Sequence, residues 1–184
     1  MDAPDAINIQ YTSGTTGHPK GATLSHRNIL FNGYYSGACQ RLTAEDRVCL
    51  PVPLYHCFGC VLGTLCCLVH GSAMIFPCEG FDAGSAFSAA IEQEQATAIY
   101  GVPTMFIAQL EHPDYPKRKL SSLRTGNGGE SVSGLMKKVT AEMGASEITI
   151  GYGQNRSVAT DHPDADRRSA RTAGGNGRSR AARI

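Results

Sequence analysis

The sequence has no run long enough to cross a membrane: its longest nearly apolar stretch, Cys57 to Val69, falls short of the roughly 20 residues a span needs. No leader is expected from its first residues. "MDAPDAINIQ" offers neither a basic region nor an apolar core, so no secretory or organelle signal is visible, and the chain by itself reads as cytoplasmic. Net charge is almost absent, at +1. A paired cysteine framework is missing too, since seven is an odd number, and unpaired thiols fit a reducing compartment. Apolar residues are not scarce. At 41% they exclude wholesale disorder, and the length fits one domain with a tail.

The small net charge hides a split. Residues 1–154 carry 10 Lys+Arg against 13 Asp+Glu, whereas residues 155–184 carry 7 Arg against 3 Asp. Apart from Val158 and Ile184, the apolar residues of this second part are all alanine. Such a segment cannot bury enough surface to order itself, and its composition suggests an altered reading frame or alternative ending. The irregular patch 127–134 fits the same origin. A nucleic-acid arm is the rival reading, but no aromatic is interleaved and three aspartates dilute the charge, so no nucleic-acid partner is expected.

The first part alternates strand and helix patterns. "AINIQY", "GATL", "RVCLPVP", "SAMIF", "ATAIYG", "SSLRTG" and "SEITIGYG" read as strands. Ser25 can cap a helix to about Gly37, and Pro103 suits the first turn of another to Leu110. Cys57–Val69, Ala83–Gln95 and Val132–Met143 complete the helical set, the first apolar on nearly all sides. This order predicts an α/β fold with a mainly parallel sheet and flanking helices. Ligands gather at the carboxyl ends of such strands. Here those ends read "LPVPLYH", "YGVPT", "RTGNGGES" and "IGYGQ", three of them with glycine where the strand stops. Glycine after a strand is also plain turn chemistry.

"YTSGTTGHPKG", residues 11–21, is the densest motif. Consecutive Ser, Thr and Gly residues expose N–H groups and hydroxyls that can wrap phosphate oxygens, with Lys20 adding charge at the edge. The plainer reading is a hairpin turn with an exposed lysine, but the length of the run and its Pro19-Lys20-Gly21 close favour phosphate. It is not GxxxxGK[ST]: Gly14 and Gly17 are wrongly placed, and Gly21 follows the lysine. Elsewhere, "HCFGC" gives Cys57 and Cys60 a CxxC spacing, with Cys66, Cys67 and His70 nearby. Because both pairs lie in one apolar helix, buried thiols are expected and no metal site.

Residues 11–21 resemble the phosphate loop of the adenylate-forming superfamily, which includes acyl-CoA synthetases, luciferases and peptide-synthetase adenylation domains. "PLYHCFG" at 53–59, "YGVPTMF" at 100–106 and "GYGQ" at 151–154 resemble its later motifs, in order. The wording is most similar to medium-chain fatty acyl-CoA synthetases, and the likeness reaches to Gln154. The resemblance implies a partial large N-terminal domain over residues 1–154, with 155–184 as an unrelated tail.

It further implies two steps: a fatty acid carboxylate attacks the α-phosphate of Mg²⁺-bound ATP, then CoA takes the acyl group from the adenylate. Thr12, Ser13, Gly14, Thr15, Thr16, Gly17 and Lys20 would hold the β- and γ-phosphates. His56 would lie beside the acyl carboxylate, although a helix-entry histidine can simply serve its own backbone. Phe58, Val61 and Leu62 would line the acyl pocket, and core packing explains them equally well. Gly126, Gly128, Gly129 and Glu130 fall near the adenine contact; Tyr152 would pack on the ring, with Gly151 and Gly153 letting the backbone approach, although a tyrosine ending a strand is commonly a packing residue. A mitochondrial parent protein is implied as well.

The pattern then breaks. The family follows "YGQ" with a phosphate-binding threonine and a Mg²⁺-binding glutamate, where this chain has Asn155 and Arg156. Arginine has no acceptor for a cation. The family's ribose aspartate, hinge and catalytic lysine lie further on, and none of those motifs occurs here. The expectation is a ligase fragment, inactive alone; the alternative is a non-catalytic nucleotide- or partner-binding module.

Overall fold

Two sheets organise the chain in the computed structural model, which describes residues 2–12, 18, 20–129, 133–154 and 157–161. β1 (Ala6–Thr12) and β2 (Lys20–Ser25) form an antiparallel hairpin in which Thr12 faces Lys20 across the ladder. Ser25 ends β2 and starts α1 (His26–Cys39). Its hydroxyl accepts the Asn28 N–H at 3.2 Å, and its own N–H donates to Asn28 Oδ1 at 3.0 Å. That reciprocal cap satisfies two N–H groups that a helix start leaves unpaired.

The larger sheet has the order β4-β3-β5-β6-β7-β8. Its strands are β3 (Arg47–Cys49), β4 (Ala73–Ile75), β5 (Ala98–Tyr100), β6 (Thr125–Asn127), β7 (Glu147–Gln154) and β8 (Ser157–Asp161). All neighbours are parallel except β7 and β8. Alternation along the central strands sends side chains into two separate layers. Val48, Ala98 and Tyr100 join Leu42, Phe58, Leu62, Cys66 and Cys67 on one face. Cys49 and Ile99 join Ala90, Ile91, Phe106, Val139, Met143 and Ile148 on the other. Burial on both faces is why these strands read as unbroken apolar runs.

The first layer is built from α1, a π-helix over Phe58–Leu65, and α2 (Cys66–His70), which continues it. Gly33 and Gly37 let α1 approach closely: a Cβ on Gly33 would stand 3.1 Å from the Cys66 nitrogen, and one on Gly37 2.4 Å from the His70 ring. The second layer holds α3 (Ala83–Ser85) running into a π-helix over Ala86–Gln93, then α4 (Pro103–Leu110) and α5 (Ser133–Met143). No helix among the described residues is long and apolar enough to cross a membrane.

At the amino ends of the strands, Arg124 ties several elements together. It reaches the Asp46 carboxylate at 2.6 and 3.1 Å, Glu147 Oε2 at 2.9 Å and the Arg41 carbonyl at 2.8 Å. Asp46 also accepts from the Thr97 hydroxyl at 2.6 Å and the Thr43 N–H at 2.8 Å. Burial pushes its carboxyl up, but Arg124, Thr97 and Thr43 outweigh that and hold it below the usual carboxylate range.

The mainly parallel α/β architecture is the one the sequence predicts. Three local differences have physical reasons. "RVCLPVP" pairs only over Arg47–Cys49, because Pro51 and Pro53 have no N–H for a ladder. The apolar segment expected as one helix has widened turns in its first half, where the Thr64 hydroxyl donates five residues back to the Gly59 carbonyl at 3.1 Å. Within the segment expected to lack order, Ser157–Asp161 pairs with β7. Main-chain pairing needs no apolar side chains, and the edge of β7 offers the partners.

Candidate functional site at the carboxyl edge of the sheet

The carboxyl ends of β5, β6 and β7 are stitched together by main-chain bonds. The Gly101 N–H donates to the Asn127 carbonyl at 3.1 Å, and the Gly128 N–H to the Thr149 carbonyl at 2.9 Å. Four of the glycines singled out in the sequence therefore meet here: Gly126, Gly128, Gly129 and Gly151.

Their reasons for being glycine differ. Gly126 has φ +155°, and a Cβ there would stand 2.0 Å from the Ile99 carbonyl oxygen. Gly129 has φ +58°, and a Cβ there would meet only ordinary contacts, the nearest with the Gly101 carbonyl oxygen at 3.6 Å, so its backbone conformation is what calls for glycine. At Gly128 and Gly151 the chain itself fills the space: Met136 Sδ and Asn127 Oδ1 would lie 2.5 and 2.8 Å from an added Cβ. At those two positions side chains of the same chain lie against the glycine.

Asn127 was not among the residues the motifs pointed to, yet it sits at the centre of this edge. It is fully buried, and its Oδ1 accepts the Gly129 N–H at 3.1 Å. A polar residue ending a buried parallel strand was the signal available in the sequence. Glu130 lies outside the described residues, as do the side chains of Tyr152 and Gln154.

His56 belongs to the exposed turn Pro53–His56 that leads into the π-helix. Its Nδ1 accepts the Phe58 N–H at 3.1 Å, and its carbonyl accepts from Gly59 and Cys60 at 3.0 and 2.9 Å. The local backbone role weighed for this histidine is therefore present. It leaves a second capacity intact: a neutral imidazole whose Nδ1 accepts carries its proton on Nε2, which makes Nε2 a donor. Two residues on, the Phe58 ring stacks on Tyr100 at 5.4 Å between centroids, which sets this turn close to the end of β5. Phe58, Val61 and Leu62 are all buried, and Phe58 and Leu62 pack within the first layer's core.

The hairpin brings Thr12 and exposed Lys20 opposite one another at its tip. Ser13, Gly14, Thr15, Thr16, Gly17 and Pro19 lie outside the described residues, as do Asn155 and Arg156. Cys66 and Cys67 are fully buried, and burial pushes their thiols up to about 11 and about 12. Among the described residues no three His, Cys, Asp or Glu side chains form a group that could hold a metal ion.

Comparison with known proteins gives this edge a context. The YngI protein of Bacillus subtilis (strain 168) is 50% identical over 156 residues, 84% of this chain and 28% of its own length. The mitochondrial medium-chain acyl-CoA ligase ACSF2 of Danio rerio is 50% identical over 153 residues, 81% of this chain and 25% of its own. The chain spans about a quarter of the length of these curated relatives. Among solved structures, ATP-bound MatB from Rhodopseudomonas palustris superposes with a TM-score of 0.76 at 27% identity, covering 91% of this chain and 33% of MatB. The AMP-binding enzyme family model matches residues 1–178, so family likeness passes Gln154, where the motifs by themselves stop. With the fold, the order of the motifs and a match over nearly the whole chain in agreement, the chain belongs to the AMP-binding enzyme family.

Proposed function

We propose that this chain is the nucleotide- and acyl-binding part of an ATP-dependent fatty acid–CoA ligase. In the whole ligase the carboxylate would attack the α-phosphate of ATP, expelling pyrophosphate, and the CoA thiol would then displace AMP. The observation that carries the reading is the glycine-ended carboxyl edge of β5, β6 and β7 in a chain of this family.

Thr12, Ser13, Gly14, Thr15, Thr16, Gly17 and Lys20 are the residues we assign to the β- and γ-phosphates. Donors fixed in advance stabilise charge that builds on departing pyrophosphate. Gly126, Gly128, Gly129, Glu130, Gly151, Tyr152 and Gly153 are assigned to the adenine. The spare Nδ2 of Asn127 beside Gly151 suits a planar ligand with acceptor atoms. His56 would present Nε2–H to the acid's carboxylate. Medium chain length and a mitochondrial parent are proposals supported by the Danio rerio relative.

Magnesium fits less well. Arg156 stands where the resemblance calls for an acidic ligand, and no described cluster supplies a substitute. This mismatch favours nucleotide binding with little or no turnover, and it equally suits a non-catalytic module that keeps the nucleotide site.

Fatty-acid-dependent exchange of pyrophosphate into ATP, with acyl-CoA formation, tests the proposal on purified chain free of longer enzyme. The expected result is ATP binding without measurable exchange. Robust exchange would overturn the inactive reading, and failure to bind ATP at all would overturn the nucleotide reading.

A further inference from the structure

Asn127 keeps half of its amide's hydrogen-bonding capacity unused. The bond from the Gly129 N–H identifies the oxygen, so the other terminus, Nδ2, is a pure donor. Nδ2 is buried and has no partner among the described residues. Buried donors without acceptors are rare in folded proteins, because the lost hydration is not returned. A leucine would fill a similar volume without that cost, so the amide calls for a specific explanation.

Its surroundings point to one. Asn127 ends β6, between the end of β5 at Tyr100 and Thr149 of β7. Its carboxamide lies against Gly151: a Cβ added there would be 2.8 Å from Oδ1 and 3.4 Å from Nδ2. The next two residues are Gly128 and Gly129, and a Cβ on the second would touch the Gly101 carbonyl oxygen at 3.6 Å and Val102 at 3.8 Å, just past the end of β5. Among the described residues at this meeting of strand ends, Asn127 carries a spare donor, and it lies between the glycines assigned above to the nucleotide base.

We infer that Asn127 is a positioning and specificity residue for the nucleotide base: Oδ1 fixes the Gly129 backbone, while Nδ2–H donates to an acceptor atom of the purine. This deepens the nucleotide reading above and rests on it. A purine ring carries acceptor nitrogens on its edges, whereas the phosphates are assigned to the hairpin loop on separate strands. Base and phosphate contacts can thus be separated experimentally.

The test is calorimetric titration and thermal melting of the full chain with two probes, ATP and inorganic tripolyphosphate. The variants are Asn127→Leu, Asn127→Ser and Asn127→Asp. The wild-type chain should bind ATP more tightly than tripolyphosphate. Each variant should lose about tenfold in ATP affinity, the scale of one hydrogen bond, and keep its tripolyphosphate affinity. Asn127→Leu removes the unpaired donor but also the acceptor of the Gly129 N–H, so its melting temperature without ligand should stay close to wild type. Should Asn127→Leu fail to fold, Asn127→Asp keeps the shape and still exchanges the donor for an acceptor. Unchanged ATP affinity in folded variants overturns the inference alone, as does an equal loss with both probes. A wild-type chain that binds tripolyphosphate as tightly as ATP overturns it too. If the wild-type chain binds neither probe, the nucleotide reading fails and takes this inference with it.

Discussion

Arg124 holds Asp46 through two side-by-side hydrogen bonds, Nη2 to Oδ2 at 2.6 Å and Nε to Oδ1 at 3.1 Å. The Asp46 side chain is only 5% exposed, so its charge has little water to fall back on. Removing Arg124 takes away its only cation among the described residues and leaves Thr97 and Thr43 as donors to a buried carboxylate. Arg124→Ala should therefore cost about 3 kcal/mol, or roughly 6–12 °C in melting temperature for a chain of this size. Urea unfolding of the variant against wild type checks this. A loss under about 0.5 kcal/mol, the scale of an exposed pair, would show that the pair is solvated.

The same pair sets an acid limb. The folded-state Asp46 carboxyl is held below its ordinary value, so its contribution is present above the unfolded value, about 3.9, and is lost as pH falls through the folded value. Stability should drop with acid below about pH 4. In Asp46→Asn that part of the drop should shrink, whatever the variant's overall stability. Stability curves at pH 3, 4 and 6 decide it, and identical slopes for the two chains would refute the assignment.

The Tyr100 hydroxyl donates to the Leu62 carbonyl at 2.8 Å and accepts from Gln40 Nε2 at 2.7 Å, fully buried. Gln40 keeps Ser36 as a second acceptor; Leu62 would lose a donor. Tyr100→Phe should cost about 1–2 kcal/mol, with the fold retained by circular dichroism. A neutral result would mean that water replaces the hydroxyl.

Gly126→Ala is the sharpest test of the sheet. Its φ of +155° and the 2.0 Å approach of Ile99 oxygen force β5 and β6 apart, at a cost of about 4 kcal/mol or more. Gly129→Ala, with φ +58° and room for a methyl group, should cost only about 1–2 kcal/mol. Equal losses in the two melts would contradict the geometry described for the carboxyl edge.

Lys20→Ala addresses the phosphate assignment. ATP at a hundred times its Kd should stabilise the wild-type chain by about 2.7 kcal/mol, raising the melting temperature by roughly 5–10 °C. The variant should keep its unliganded melting temperature and lose most of that rise. An undiminished rise would remove Lys20 from the site.

Thiol accessibility reports on the first layer. Cys49, Cys66 and Cys67 are fully buried and Cys57 nearly so, whereas Cys39, Cys60 and Cys78 are partly exposed. Burial also pushes the Cys49 thiol up to about 12, so little thiolate exists at neutral pH. A native titration with an aromatic disulfide should find about three fast thiols. All seven cysteines should react in denaturant. Fast reaction of all seven under native conditions would mean that the layers do not pack as described.

Local chemistry made much of this protein legible in its sequence. Ser25 signalled a helix cap, Pro103 a helix start, and apolar strands between helices a mainly parallel sheet with flanking helices. These features depend on residues within a turn or two of each other, and so did the motif "YTSGTTGHPKG", whose family likeness the chain's matches bear out. Tertiary structure decided what depends on distant residues meeting. Arg124 finds Asp46 78 positions away, because parallel strands bring their amino ends together through crossovers. That Gly128 lies against Met136 and Gly151 against Asn127 is likewise set by distant residues meeting. The spare donor of Asn127 exists only because β5, β6 and β7 close around it and exclude water, which one strand's sequence cannot state.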